Sequence, residues 1–287
     1  MGGSTFSTFW TGQTGPYQRL CLASWVAHGF NAVVYTTNLD IELPKDVEKR
    51  PAEEILDLGG RVYLFKTGVG QGSPALHSDL FRYKLLLRGG WWLDTDVIVR
   101  SDRVPEQDIF VAQQADQTLG TAVMRFPADF ALTHEAVAES LRLIENAKWT
   151  DIGPRLITRL FEKHGLKDKV ADYRTAYAVN YTEALKFFDP AARDEIEERV
   201  GSSAFVHLWN QIWTIVGFPP DFGPPEGSYL DALFKTYVGK SPFQARAPLA
   251  SIKTWWQNSD RVGQLEHQLR QAQAKIDAFP IITFRGS

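Results

Sequence analysis

Over the N-terminal third of the chain, short β-branched or aromatic runs alternate with stretches of helical periodicity, the pattern that builds parallel βαβ units. Phe6 to Trp10 predicts a first strand. After Gly12-Gln13-Thr14-Gly15-Pro16, the segment Tyr17 to His28 places Leu20, Ser24 and Ala27 near one another on a helix that Gly29 ends. Asn31 to Thr37 predicts a buried strand, Pro51 to Leu58 a second helix stopped by Gly59-Gly60, and Arg61 to Lys66 a third strand. Glycines at 68, 70 and 72 predict a mobile loop. The best-defined unit follows: a helix from about Pro74 to Arg88, a stop at Gly89-Gly90, and a strand from Trp91 to Val99. Proline suits the first turn of a helix and glycine its end.

Farther along, Ile109 to Gln113, Thr121 to Phe126 and Ala204 to His207 read as strands, and Phe130 to Asn146 and Pro154 to His164 as helices. The loop from Gly217 to Gly227 holds prolines at 219, 220, 224 and 225. From Arg261 to Ile276 the chain is polar with helical spacing, Leu265 and Leu269 standing four apart among glutamines. Such a helix suits docking or self-association but is too short for a coiled coil. The expected architecture is α/β, a mostly parallel, Rossmann-like central sheet flanked by helices, over residues 1–250, with a polar helical appendage over 251–287.

Composition narrows the classes. In 287 residues, 44% hydrophobic and 23% charged side chains are ordinary for a soluble globular protein, which sets disorder and fibrous folds aside. A net charge of −3 offers no basic patch, so no nucleic-acid partner is expected. The single cysteine, Cys21, rules out an intrachain disulfide framework and a cysteine-rich zinc site. No apolar run approaches the roughly 20 residues that span a bilayer, and Met1 to Thr8 lacks the shape of a signal segment. The expected location is cytoplasmic, with a peripheral position at the inner face of the membrane left open. The nine tryptophans serve either a core or stacking on sugar and base faces.

The segment Trp91-Trp92-Leu93-Asp94-Thr95-Asp96-Val97-Ile98-Val99 sets two carboxylates in an apolar strand. A buried carboxylate needs a partner, and a divalent cation such as magnesium or manganese is a natural one. The bare Asp-x-Asp pattern is weak evidence for this, because it occurs often by chance and on its own favours solvated turn carboxylates. Upstream, Asp79 and Arg82 lie three apart on the predicted helix, either as a surface ion pair or as groups facing a phosphate and sugar hydroxyls.

The run His77-Ser78-Asp79-Leu80-Phe81-Arg82-Tyr83 followed by Gly89-Gly90-Trp91-Trp92-Leu93-Asp94-Thr95-Asp96 resembles the sugar-binding region of glycosyltransferases with the DXD motif and the GT-A fold. That family includes α-1,4-galactosyl- and N-acetylglucosaminyltransferases, the yeast outer-chain mannosyltransferase and, distantly, the clostridial glucosylating toxins. Phe9-Trp10-Thr11-Gly12, Asp151-Ile152-Gly153-Pro154 and Val206-His207-Leu208-Trp209-Asn210 are similar to further elements of it, so that the resemblance covers roughly residues 6 to 240. The family's basic leader before the first tryptophan is missing.

The resemblance implies a metal-dependent hexosyl- or N-acetylhexosaminyltransferase that takes a nucleotide sugar, a UDP-sugar foremost, to a glycan or glycolipid acceptor in surface-polysaccharide synthesis. It implies Asp96 as direct metal ligand, Asp94 with Thr95 at metal and ribose, and Asp79 and Arg82 at the donor sugar. It further implies Trp10 and Gly12 at the base, Asp151 and Gly153 at the cleft border, and His207 and Asn210 at the metal and pyrophosphate. Each has a plainer reading. Trp10 suits a core, His207 a structural site, Gly153-Pro154 a helix start and Asp151 its N-cap; Trp91, Trp92 and Trp209 read as packing residues. The metal, held by Asp94 and Asp96 and assisted by Arg82, would stabilise the diphosphate leaving group. Retention of configuration by front-face attack is expected. A non-catalytic sugar-nucleotide or glycan-binding module and a nucleotidyltransferase are the alternatives.

Overall fold

The computed structural model describes residues 4–259 and 261. Its N-terminal half runs β1 (Thr5–Trp10), α1 (Pro16–Ala27), β2 (Asn31–Thr36), β3 (Val47–Pro51), α2 (Ala75–Leu86), β4 (Gly90–Leu93), β5 (Val97–Val99), β6 (Val111–Ala112) and β7 (Val123–Phe126). There follow α3 (Ala131–Leu143), α4 (Pro154–Lys163), β8 (Val170–Ala171), α5 (Arg193–Arg199), β9 (Phe205–His207), α6 (Asn210–Ile215) and α7 (Tyr229–Tyr237). The main sheet has the order β3-β2-β1-β4-β7, parallel except for β7.

Because successive side chains on a strand alternate faces, this sheet buries apolar residues on both sides. Val33, Tyr35 and Trp92 join the core under α2, α3 and α4, whereas Ala32, Val34, Trp91 and Leu93 join Leu22 and Trp25 of α1 on the other face. Two helix boundaries follow from local chemistry. Pro16 opens α1, where the Gln18 side chain accepts from the Gly15 N–H, and Gly29 leaves the helix at a φ of 80°. Pro74 precedes α2 and Gly89, at a φ of 74°, follows its end.

Several expectations are corrected. The helix expected from Pro51 to Leu58 is a 3-10 turn at Ala52–Glu54, because residues 47–51 are already paired to β2 as a polar edge strand. Arg61 to Lys66 is not a strand: β3 occupies that sheet edge, and Phe65 bonds locally to Gly72 and Ser73 instead. The strand expected from Trp91 to Val99 is broken at Asp94-Thr95-Asp96 into β4 and β5, which belong to different sheets. Of the strand expected over Ile109 to Gln113, only Val111–Ala112 forms. The polar helix expected from Arg261 to Ile276 lies, apart from Arg261, outside the described residues. Among the described residues no helix is long and apolar enough to cross a membrane.

A second apolar cluster packs α7 and β9 against α1, and residues 249–259 add a helix whose Ile252 is buried in it. At its edge, Arg199 of α5 grips Glu183 with two bonds of 2.9 and 2.7 Å, and Lys186 adds a contact at 3.0 Å. The Arg199 hydrogen bonds, with Lys186, outweigh burial and pull Glu183 down from 4.5 to about 2. A carboxylate held below its unfolded value stabilises the fold above that value and loses the contribution as pH falls through the folded one. Between pH 4.5 and 2, therefore, wild-type stability should decline more steeply than that of Glu183→Gln, while at neutral pH the variant should be less stable by about 1 kcal/mol. Urea unfolding at stepped pH measures both.

Candidate donor and metal site

The break between β4 and β5 is a tight turn. The Val97 N–H donates to the Asp94 carbonyl at 3.1 Å, and the Asp94 N–H donates to the Ala122 carbonyl at 2.8 Å. This fixes both carboxylates at one end of the sheet. Asp94 accepts from the buried Trp92 Nε1 at 2.6 Å, so that indole serves the site as well as the core. β5 then pairs antiparallel with β9, with Val97 opposite His207, and the Leu208 N–H donates to the Asp96 carbonyl at 2.9 Å. Residues 111 apart in sequence thereby meet: His207 Nε2 lies 3.1 Å from Asp96 Oδ2. Trp209 adopts a left-handed conformation, at a φ of 62°, and the next N–H, that of Asn210, donates to the same Asp96 oxygen at 2.9 Å.

One atom each of Asp94, Asp96 and His207 lies within 4.8 Å of the others. Two ligands at adjacent corners of an octahedral magnesium site stand about 3 Å apart, given bonds of about 2.0–2.1 Å. The 3.1 Å between His207 and Asp96 matches that spacing, and oxygen donors with one imidazole suit manganese or magnesium. Nδ1 of His207 is buried without a hydrogen-bond partner.

Helix α2 supplies the remainder. Arg82, 4% exposed, sits 3.2 Å from Asp79 and 3.3 Å from Asp94, donates to the Thr121 carbonyl at 2.8 Å and lies 5.2 Å over the Trp92 ring. The plainer reading of Asp79 and Arg82 as a surface pair is thus overturned; the pair is buried and bound to the DXD turn. Asp79 and Asp94 both face the Arg82 guanidinium, while Asp96 faces His207, so three carboxylates crowd one end of the sheet. The electrostatics follow. Burial, reinforced by Asp94 and opposed by Arg82, pushes Asp79 up to about 6. Burial and the Asp96 charge hold Asp94 high against Arg82. Burial also acts upward on Asp96, but His207 and the Asn210 N–H outweigh it and hold Asp96 below the usual carboxylate value.

These groups open on a cleft of about 690 Å³, within the range of small-molecule sites. Trp10, Asp79, Arg82, Asp94, Thr95, Asp96, His207 and Asn210 all line it. Trp10 is half-buried at its rim, its Nε1 tied to the Gln13 carbonyl at 3.1 Å. Gly12 and Gly153 are not among the residues that line the cleft. Gly12 supplies a φ of 79°, and a Cβ on Gly153 would come within 3.3 Å of both Asp79 oxygens, so the bare backbone lets that carboxylate sit where it does. Asp151 is turned away from the cleft. Its carboxylate accepts from the Lys148 N–H at 2.9 Å and pairs with Arg155 at 3.6 Å, so it closes a turn and neither caps α4 nor reaches the cleft.

The sequence offered no sign of Tyr177, Trp149 or Asp116, which also line the cleft. Tyr177 stands beside His207 and Trp209, its hydroxyl buried. A Cβ at Gly120 would lie 2.2 Å from its ring, a glycine signal that has meaning only once the fold is known.

Residues 129–219, which contain Gly153, His207 and Asn210, match the alpha 1,4-glycosyltransferase conserved region. A comparison with curated protein sequences gave no match. Among solved structures the chain is similar to the PaToxG glycosyltransferase at 12% identity, covering 58% of this chain and 72% of that one with a TM-score of 0.42. It is similar to the apo glycosyltransferase GlyE of Streptococcus pneumoniae at 11% identity, 90% and 64% coverage and a TM-score of 0.41. For the bifunctional glycosyltransferase WbbM the figures are 10%, 91%, 51% and 0.46. The chain thus spans less than two thirds of GlyE and about half of WbbM. The match to the alpha 1,4-glycosyltransferase conserved region thus covers about a third of the chain, and the main sheet beside it is mostly parallel and flanked by helices.

Proposed function

We propose that the protein transfers a hexose or N-acetylhexosamine from a nucleotide sugar, a UDP-sugar foremost, to a glycan acceptor with the help of manganese or magnesium. The observation that carries this reading is the convergence of Asp94, Asp96 and His207, one ligand atom from each within 4.8 Å of the others, on one cleft. These three residues would hold the ion, which supplies Lewis-acid stabilisation of a departing diphosphate. Trp10 at the rim offers a flat face for the base, and Asp79, fixed by Arg82 and given room by Gly153, is an acceptor for donor-sugar hydroxyls. Asn210 and Thr95 line the pocket around them, and Gly12 turns the chain just after Trp10.

Retention by front-face attack is the preferred course. The bond from the anomeric carbon to the β-phosphate oxygen breaks, the nucleoside diphosphate leaves, and the acceptor oxygen bonds on the same face while its proton passes to the departing phosphate. What supports it is that the carboxylates lining the cleft are all engaged: Asp79 and Asp94 with Arg82, Asp96 with His207 and Asn210, and Asp116 with Thr118 at 2.6 Å. A covalent route would instead need a carboxylate placed as nucleophile on the far face of the sugar. Two-fluoro donor analogues followed by mass spectrometry should reveal no glycosyl adduct; an adduct would contradict this step.

Incubation with manganese and a panel of nucleotide sugars should release nucleoside diphosphate, whereas pyrophosphate release would indicate a nucleotidyltransferase and tight binding without turnover a binding module. Asp79→Asn is expected to unfold within about 1 kcal/mol of the wild type, because the Asp79 charge is already disfavoured by burial. The same change should lower transfer by about 10–100-fold through a weakened sugar contact. Equal losses in stability and activity would make Asp79 a structural residue.

A further inference from the structure

Beyond Asp79, at the opposite end of the acidic row from His207, the cleft wall is made by the start of α2 and the turn before α4, with Ser73, Pro74, Trp149 and Thr150 on its surface. We infer that Trp149 is the stacking platform for the acceptor, a pyranose presenting an apolar C–H face. The inference rests on the reading of the cleft as a nucleotide-sugar site: a donor sugar between the diphosphate and Asp79 leaves the attacking sugar against this wall.

Trp149 is fixed in place without being buried. The turn that carries it is closed on both sides, the Lys148 N–H donating to Asp151 Oδ2 at 2.9 Å and the Asp151 N–H to the Lys148 carbonyl at 3.0 Å. Thr150 is held at a φ of 74°, an outlier for a β-branched residue, which the surrounding structure must maintain. On the far side, a Cβ added to Gly70 would lie 2.5 Å from Trp149 Cε3, so bare glycine backbone lies against the benzo ring, and Phe65 packs at 5.2 Å between ring centroids. Trp25, Trp92 and Trp213 are sealed in the core, but Trp149 stays half-exposed on the cleft. Thr150, Ser73 and Arg155 fringe it with polar groups. A flat apolar surface with a polar edge complements a pyranose, which carries C–H groups on one face and hydroxyls around its rim. The carboxylate of Asp151 then has a place in the account: it holds the turn that presents the indole.

The test measures nucleoside diphosphate released from UDP-glucose or UDP-galactose with manganese, alone and with rising lactose, maltose or chitobiose. In the wild type at least one disaccharide should accelerate release with saturation. In Trp149→Ala the disaccharide concentration for half-saturation should rise about tenfold while that for the nucleotide sugar moves less than about twofold, and Trp149→Phe should recover much of the loss. The inference is overturned if wild-type release occurs but no disaccharide accelerates it, if Trp149→Ala leaves the disaccharide response unchanged, or if donor and acceptor terms shift together in both variants. No release from any nucleotide sugar would instead contradict the donor-site reading on which it rests.

Discussion

Replacing Asp96 by asparagine is expected to lower transfer by about 10²–10³-fold or more, the range for removing a group that stabilises charge at the reacting centre. Stability should change little. The amide oxygen of the substituted side chain can still accept from the Asn210 N–H, and the bond from the Leu208 N–H to the carbonyl at position 96 is main chain. What the substitution removes is the carboxylate with the lowest proton affinity in the cluster, the one that His207 and Asn210 hold ionised. A variant that folds normally and transfers sugar at the wild-type rate would show that the DXD turn does not take part in the chemistry.

Arg82→Met is expected to act in the opposite manner, through the fold first. Its guanidinium answers Asp79, Asp94 and the Thr121 carbonyl together, at 3.2, 3.3 and 2.8 Å, from a position 4% exposed. Removing one partner of a buried ion pair leaves the other charge uncompensated, typically at roughly 3–5 kcal/mol. Two carboxylates would be stranded here, beside a third. Arg82→Lys should rescue only part of the loss, because a point charge cannot match a planar fork spread over three acceptors. Added manganese should restore some stability to Arg82→Met by neutralising the same carboxylates. Thermal unfolding of the three proteins with and without manganese measures this; unchanged melting of Arg82→Met would show the buried pair to be dispensable.

Much of the frame was legible because its signals are local. Pro74 before α2 and Gly89-Gly90 after it bracket the helix that carries Asp79 and Arg82, and the β-branched run at 31–36 fits a strand buried on both faces. Edge and break were not. β3 has the polar sequence Val-Glu-Lys-Arg-Pro, since one side of an edge strand faces water, while the more strand-like Arg61 to Lys66 stays out of the sheet and Phe65 bonds locally to Gly72 and Ser73. The break at Asp94 was hidden because Val97-Ile98-Val99 continues the apolar pattern; the change lies in the partner, β9 in place of the main sheet.

The site divides in the same way. Asp79, Arg82, Asp94 and Asp96 come together as their spacing suggests, because short sequence separation on two adjoining elements becomes proximity. His207 was reached only through the resemblance, as the β5 to β9 pairing that delivers it is long-range. Asp151 reads in sequence as an N-cap or a sugar contact, and its bond from the Lys148 N–H is a property of the folded turn. Tyr177 and Trp149 lie in irregular segments whose directions no periodicity sets.

Binding of manganese, followed by the loss of the free ion's electron paramagnetic resonance signal, tests the central claim most directly. The wild type should take up one ion, more tightly when UDP is present, and Asp96→Asn should lose both the binding and the response to UDP. Equal uptake by wild type and Asp96→Asn, or uptake indifferent to UDP, would contradict a metal centre at the DXD turn.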